Sequence, residues 1–162
     1  MVEALWYLPA LLAGVAGIFV ALFCHEFAHS VPVLLAGGRV SISVGSDTGR
    51  TVSLGPVTIT AGVDGVWNTL HYGYYEYQET HSKRVRALSA LAGPLVTVVI
   101  ASLLGVALLD HGTSGPVSFV LEILLISELY RAVVTAVPMT YSREPYAGLP
   151  SDGKRFLQIV RS

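Results

Sequence analysis

The chain has 162 residues, 52% hydrophobic and 13% charged, with a formal net charge of -1 and a mean hydropathy of +0.61. That length suits one domain, but few water-soluble domains are so apolar, and the absence of a basic stripe excludes a nucleic-acid partner. The single cysteine, Cys24, excludes an intrachain disulfide and a cysteine-based metal knuckle.

The first apolar segment covers residues 4–36. A helix of roughly 20 apolar residues crosses a bilayer, so this segment is expected to span one. It lacks the basic start of a secretory signal and is too long for a signal core, so it is expected to stay on the mature protein. Inside it lies "CHEFAH", with His25, Glu26 and His29. A four-residue spacing puts both imidazoles on one helical face, a turn apart, where their nitrogens can share one zinc ion. Glu26 sits beside that face and can reach a water on the metal without occupying a coordination site. Such a water becomes a hydroxide-like nucleophile near neutral pH, with the glutamate as general base and then as proton donor to a leaving amine. Ionisable groups in an apolar helix are costly and mark function by default. Haem ligation would use the histidines but leave Glu26 without a role.

Residues 39–61 alternate β-branched with small or polar side chains around "GSDTGR" and are expected to form a β-hairpin. Residues 62–84 are polar and Tyr-rich, as expected of a loop at a membrane surface. Two further apolar segments, residues 87–109 and 117–137, are expected to be membrane helices. The expected fold class is therefore an all-α polytopic membrane protein: one membrane-embedded domain over residues 1–162, with a three-helix core, a small hairpin and a tail at 138–162 that is either one or two amphipathic turns or disordered. Basic residues follow the first and third segments but are absent before the first and between the second and third. The positive-inside rule then places the N-terminus outside and the long loop and C-terminus in the cytoplasm, with the cell membrane as the expected location.

Catalytic zinc usually has three protein ligands, so the two histidines leave one to find. His71 and His81 fall in the loop, while His111 and Glu122 fall at the far end of the helices. Glu128 is followed one turn later by Arg131, the spacing of an ion pair. Asp152, in "LPSDGKRF", follows the third segment on the side where the histidines lie, and Pro150 and Gly153 can turn the chain back towards them. In the second segment, Ala90, Ala92 and Gly93 permit close backbone approach, and Pro94 leaves the Ala90 carbonyl without its helical partner.

The runs "HEFAHSVPVLLAGGRV", "ALAGPLVTVVIA" and "PSDGKRF" resemble, in order, the signatures of the site-2 protease family of intramembrane zinc metalloproteases. The resemblance implies His25, His29 and Asp152 as ligands of one zinc ion per chain and Glu26 as catalytic base. It implies cleavage of peptide bonds within or near transmembrane segments of other proteins. The partners implied are a transmembrane protein substrate and the bilayer, with room for a homo-oligomer or an accessory membrane protein. Family asparagines that hold substrate or polarise its carbonyl are replaced by Thr97 and Thr135, so these hydroxyls are the expected oxyanion donors. Residues 139–149, "MTYSREPYAGL", separate Pro138 from the Asp-Gly where relatives run on directly, and neither a further helix nor a PDZ domain is legible. The hairpin offers an edge on which an extended substrate segment could pair. The rival reading is a non-catalytic zinc-binding membrane protein, or a degenerate homologue that binds transmembrane helices without cutting them. A metal-ion transporter is less suited, because it needs more spans and no base.

Overall fold

The computed structural model describes residues 6–63, 70, 72–77, 81–111 and 115–162, apart from the His111 side chain. It contains α1 (Tyr7–Leu35), β1 (Val40–Val44), β2 (Arg50–Leu54), β3 (Val57–Ala61), β4 (Gly73–Tyr77), α2 (Lys83–His111), α3 (Pro116–Ala136) and α4 (Asp152–Arg161). Helix α1 packs against both α2 and α3, and α4 packs chiefly on α2. The sheet lies on the second half of α1, which it meets through β1 and β4.

Leu- and Ala-rich sequence favours α1 as a helix. It ends in a turn in which the Gly38 N–H donates to the Val33 carbonyl and the Gly37 N–H to the Leu34 carbonyl, the bonding pattern of a Schellman cap. Helix α3 begins with Pro116 in its first turn, where the missing N–H has no helical partner to lose.

The expected all-α class is corrected by the sheet. The described residues form a mixed α/β fold with four helices and a four-stranded mixed sheet in the order β2-β3-β1-β4. β1 pairs parallel with β3, and β4 pairs antiparallel with β1. Only β2 and β3 form a hairpin, closed at Gly55 and Pro56 rather than at "GSDTGR". The segment at 45–49 instead carries the chain out to β2, because a parallel β1–β3 pair needs a crossover. The fourth strand comes from the Tyr-rich stretch expected to be a loop: its two-residue alternation is short, and aromatic strand formers also suit a membrane surface.

The number of expected membrane helices is also corrected. Among the described residues, two helices, α1 and α2, are long and apolar enough to cross a membrane. Helix α3 does not meet that standard, since Glu122, Glu128 and Arg131 lie within its 21 residues. The expected tail is ordered in its last part as α4.

Strand periodicity aims the sheet at α1. Val40, Ile42 and Val44 alternate inward along β1, and Ile42 and Val44 pack with Leu22, Phe19 and Phe23 of α1. Their β4 partners Tyr75 and Gly73 are buried on the same side, as the period of two requires. β2, at the far edge, is exposed throughout.

Candidate metal centre

Three elements bring the expected ligands together. His25 and His29 project from α1 and are buried, and Asp152 opens α4. Asp152 Oδ2 lies 3.4 Å from His25 Nε2 and 3.4 Å from His29 Nε2, and the two Nε2 atoms are 3.1 Å apart. With both imidazoles in the tautomer that turns an Nε2 lone pair inward, these three donors can enclose one cation. In a tetrahedral zinc site with bonds near 2.0–2.1 Å, neighbouring donors are about 3.3 Å apart. The triangle therefore has the size of three corners of such a site, and His25, His29 and Asp152 form a triad able to hold a metal ion.

Each ligand is oriented from behind. His29 Nδ1 is 2.6 Å from the Ser89 carbonyl, which can only accept, so Nδ1 carries the proton and the neutral ring offers its Nε2 lone pair to the centre. The Ser89 hydroxyl donates to the His29 carbonyl at 2.6 Å, locking α2 to α1. The His29 ring stacks on Tyr75, with centroids 4.3 Å apart and planes 8° from parallel. Across the helix interface stands Gly93, where any Cβ would overlap the His29 imidazole. His25 Nδ1 lies 2.7 Å from the buried Thr97 hydroxyl. Ser89, Gly93 and Thr97 recur every four residues, so they form one stripe along α2 facing the histidines.

The "SDG" run positions Asp152. The Ser151 hydroxyl caps α4 by accepting from the Lys154 N–H at 3.2 Å. It also donates to the Val137 carbonyl at 2.7 Å and accepts from the Met139 N–H at 3.1 Å. That one side chain ties the start of α4 to the end of α3. Gly153 is required next, because a Cβ would strike the Ala136 carbonyl. Burial alone would raise the Asp152 carboxyl, but the positive charge of His29 when it is protonated in the metal-free site, with hydrogen bonds from His25 and His29, reverses this and holds the carboxyl well below the ordinary carboxylate range. Asp152 therefore remains an anionic ligand at neutral pH.

Glu26 is buried and lines a cavity of about 390 Å³ together with His29 and Asp152. Gly73 of β4 lies directly against it, since a Cβ there would come within 2.5 Å of Glu26 Oε1. The cavity is closed from the other side by residues 139–151. A Thr140–Pro150 bridge and two backbone bonds, from the Tyr141 N–H to the Leu149 carbonyl and from the Gly148 N–H to the Tyr141 carbonyl, fold this loop on itself. Its Tyr146 hydroxyl accepts from the Gly73 N–H at 2.6 Å and donates to the Gly73 carbonyl at 2.7 Å. Burial pushes the Tyr146 and Tyr141 phenols above their ordinary range, so both stay neutral. Arg155 lies 5.3 Å from the centre of the Tyr75 ring. Burial would weaken its hold on its proton, but Tyr75 and Asp152 more than compensate and keep the guanidinium charged.

Of the remaining sequence candidates, Thr97 sits behind His25 rather than on the cavity wall. Thr135 lines the cavity, and its hydroxyl donates to the Arg131 carbonyl at 2.9 Å. Glu128 forms the ion pair its spacing suggested, 2.5 Å from Arg131 Nη1. His81 packs beside Gly38 and Tyr77, away from the triad. His71 and the His111 side chain lie outside the described residues. Sequence reasoning missed Ser89, Tyr75, Gly73, Tyr146 and Arg155. The four-residue stripe could have revealed Ser89; the others depend on long-range contacts with no local pattern.

The fold and site together define a mixed α/β protein with two membrane-length apolar helices and a His–His–Asp triad able to hold a metal. No family model, curated protein or solved structure matches the chain.

Proposed function

We propose that this protein is a zinc endopeptidase of the site-2 protease type, cutting peptide bonds within or near transmembrane segments of membrane proteins. The observation that carries the reading is the meeting of His25, His29 and Asp152 as a zinc-sized donor triangle with Glu26 on the wall of the same cavity. Two imidazoles and a carboxylate suit zinc, and three protein ligands leave a fourth position open. Zinc bound there would acidify a water and polarise a carbonyl. Glu26 takes the proton of the attacking water as the new C–O bond forms, then delivers it to the amide nitrogen as the C–N bond breaks. Ser89 and Thr97 hold the imidazoles in place, and Ser151 holds Asp152.

The membrane setting is supported by what α1 and α2 leave uncovered. Only 28% of the apolar stretch of α1 and 17% of that of α2 is buried within the protein. A core helix of a water-soluble domain would be mostly covered, so lipid is the natural solvent for these faces. The distribution of basic residues favours α1 entering from outside, with the metal centre and α4 towards the cytoplasm. The substrate in this reading is a transmembrane protein that reaches the cavity from the bilayer.

The test uses purified protein in lipid, with zinc content and cleavage of a transmembrane reporter measured together. Glu26→Gln is expected to retain zinc and to cut about 10²–10⁴-fold more slowly. Normal cleavage by Glu26→Gln would sink the mechanism.

A further inference from the structure

We propose that Arg131 is a catalytic residue of this site, the guanidinium that binds the substrate carbonyl oxygen as it becomes an oxyanion. This rests on the endopeptidase reading above. Water attack on an amide shifts the C=O π electrons onto oxygen, and that charge must be met until the C–N bond breaks and the electrons return. The proton balance is already closed by Glu26, so the oxyanion needs a donor or cation that holds its charge without giving up a proton.

Of the hydroxyls at or near the cavity, those of Thr97, Thr135, Tyr141 and Tyr146 are engaged elsewhere. The Thr97 hydroxyl is fully buried against His25 and does not line the cavity. Thr135 donates to the Arg131 carbonyl, Tyr141 to the Val134 carbonyl at 3.2 Å and Tyr146 to the Gly73 carbonyl. Each has one proton, and each proton has an acceptor. Three guanidiniums line the wall, those of Arg131, Arg143 and Arg155, and Arg143 is exposed on the 139–151 loop. Arg155 lies over the Tyr75 ring beside the ligand Asp152. Arg131 stands on α3 and lines the same cavity as Glu26 and Asp152.

Arg131 is also held in place before any substrate arrives. Its Nη1 donates to Glu128 Oε1 at 2.5 Å, and Glu128 is completely buried on the same helix. A guanidinium has five N–H donors in a rigid fork, so anchoring one end leaves others for a ligand. Anchored charge aimed where negative charge develops stabilises the transition state without reorganisation. The Glu128–Arg131 pair is thereby more than a neutralised intrusion in an apolar helix.

The test compares Arg131→Lys and the double variant Glu128→Gln/Arg131→Ala with the wild type, all zinc-loaded. The double variant leaves no buried charge unpaired. It is expected to hold zinc, melt near the wild-type temperature and lose about 100-fold or more in kcat with KM little changed. Added guanidinium ion at non-denaturing concentration is expected to restore part of that rate, and Arg131→Lys to fall between. Unchanged kcat in the double variant overturns the proposal. So does a loss that follows zinc or melting temperature, one that neither lysine nor guanidinium relieves, or a loss in Arg155→Gln with none in the Arg131 variants. If the wild type shows no metal-dependent cleavage, the endopeptidase reading fails and this inference goes with it.

Discussion

The two halves of α1 are equally helical but face different solvents. Before Ala21 the helix exposes Leu8, Leu11, Leu12 and Val20, and among its large apolar side chains none is buried. From Ala21 onwards it buries His25, Glu26, His29 and Ser30 together with Leu22 and Val33. The usual relation of polarity to burial is inverted along one continuous helix. A half that turns apolar side chains outward depends on an apolar surrounding, while a half that turns ionisable groups inward depends on partners within the protein.

That comparison can be broken most severely at the ligands. His29→Ala or Asp152→Ala is expected to abolish stoichiometric zinc binding, measured by metal analysis of purified protein, because two donors no longer enclose the ion. Full occupancy in Asp152→Ala would show that the triangle is not the metal site. A milder perturbation is Thr97→Val, which removes the partner of His25 Nδ1 and is expected to weaken zinc about 10–100-fold in a competition titration. Intact zinc affinity with reduced kcat would return Thr97 to the oxyanion role read from the sequence.

Smaller effects follow away from the centre. Tyr146→Phe keeps the ring but removes both bonds to Gly73, and it is expected to cost about 1–2 kcal/mol in denaturation measured in lipid. In the outward-facing half, Leu12→Ala should leave zinc content unchanged and stability within about 0.5 kcal/mol, since Leu12 is 63% exposed. A large loss there would mean that this face is covered by protein instead of lipid.

The legible part of the site was the part written in local spacing. His25, Glu26 and His29 announce themselves by helical periodicity, and Glu128 and Arg131 by a separation of one turn. Asp152 was legible as a candidate because Pro150 and Gly153 flank it and can turn the chain back, and the family resemblance singled it out; the Ser151 cap and the clearance of Ala136 by Gly153 appeared only in the structure. The sheet was only half legible. Alternation identified β structure over residues 39–61, but it carries no information on whether neighbours run parallel, so the expected single hairpin missed the β1–β3 pairing, and β4 hid among tyrosines that suit either a strand or a membrane surface. Thr97 and Thr135 were placed on the right elements, but the distances show their hydroxyls bonded to an imidazole and a backbone carbonyl.

The sequence by itself determined the histidine pair with Glu26, the helical face that presents them and the apolar lengths of α1 and α2, because each depends on residues within a few turns of one another. Only the tertiary structure decided that Asp152 closes the triangle, that β4 lies over Glu26 with its first residue bonded to Tyr146, and that Arg131 shares the cavity wall. Those relations join residues 47 to more than 120 positions apart in the chain, and packing of α1 against α2, α3 and the sheet creates them where no local pattern can encode them.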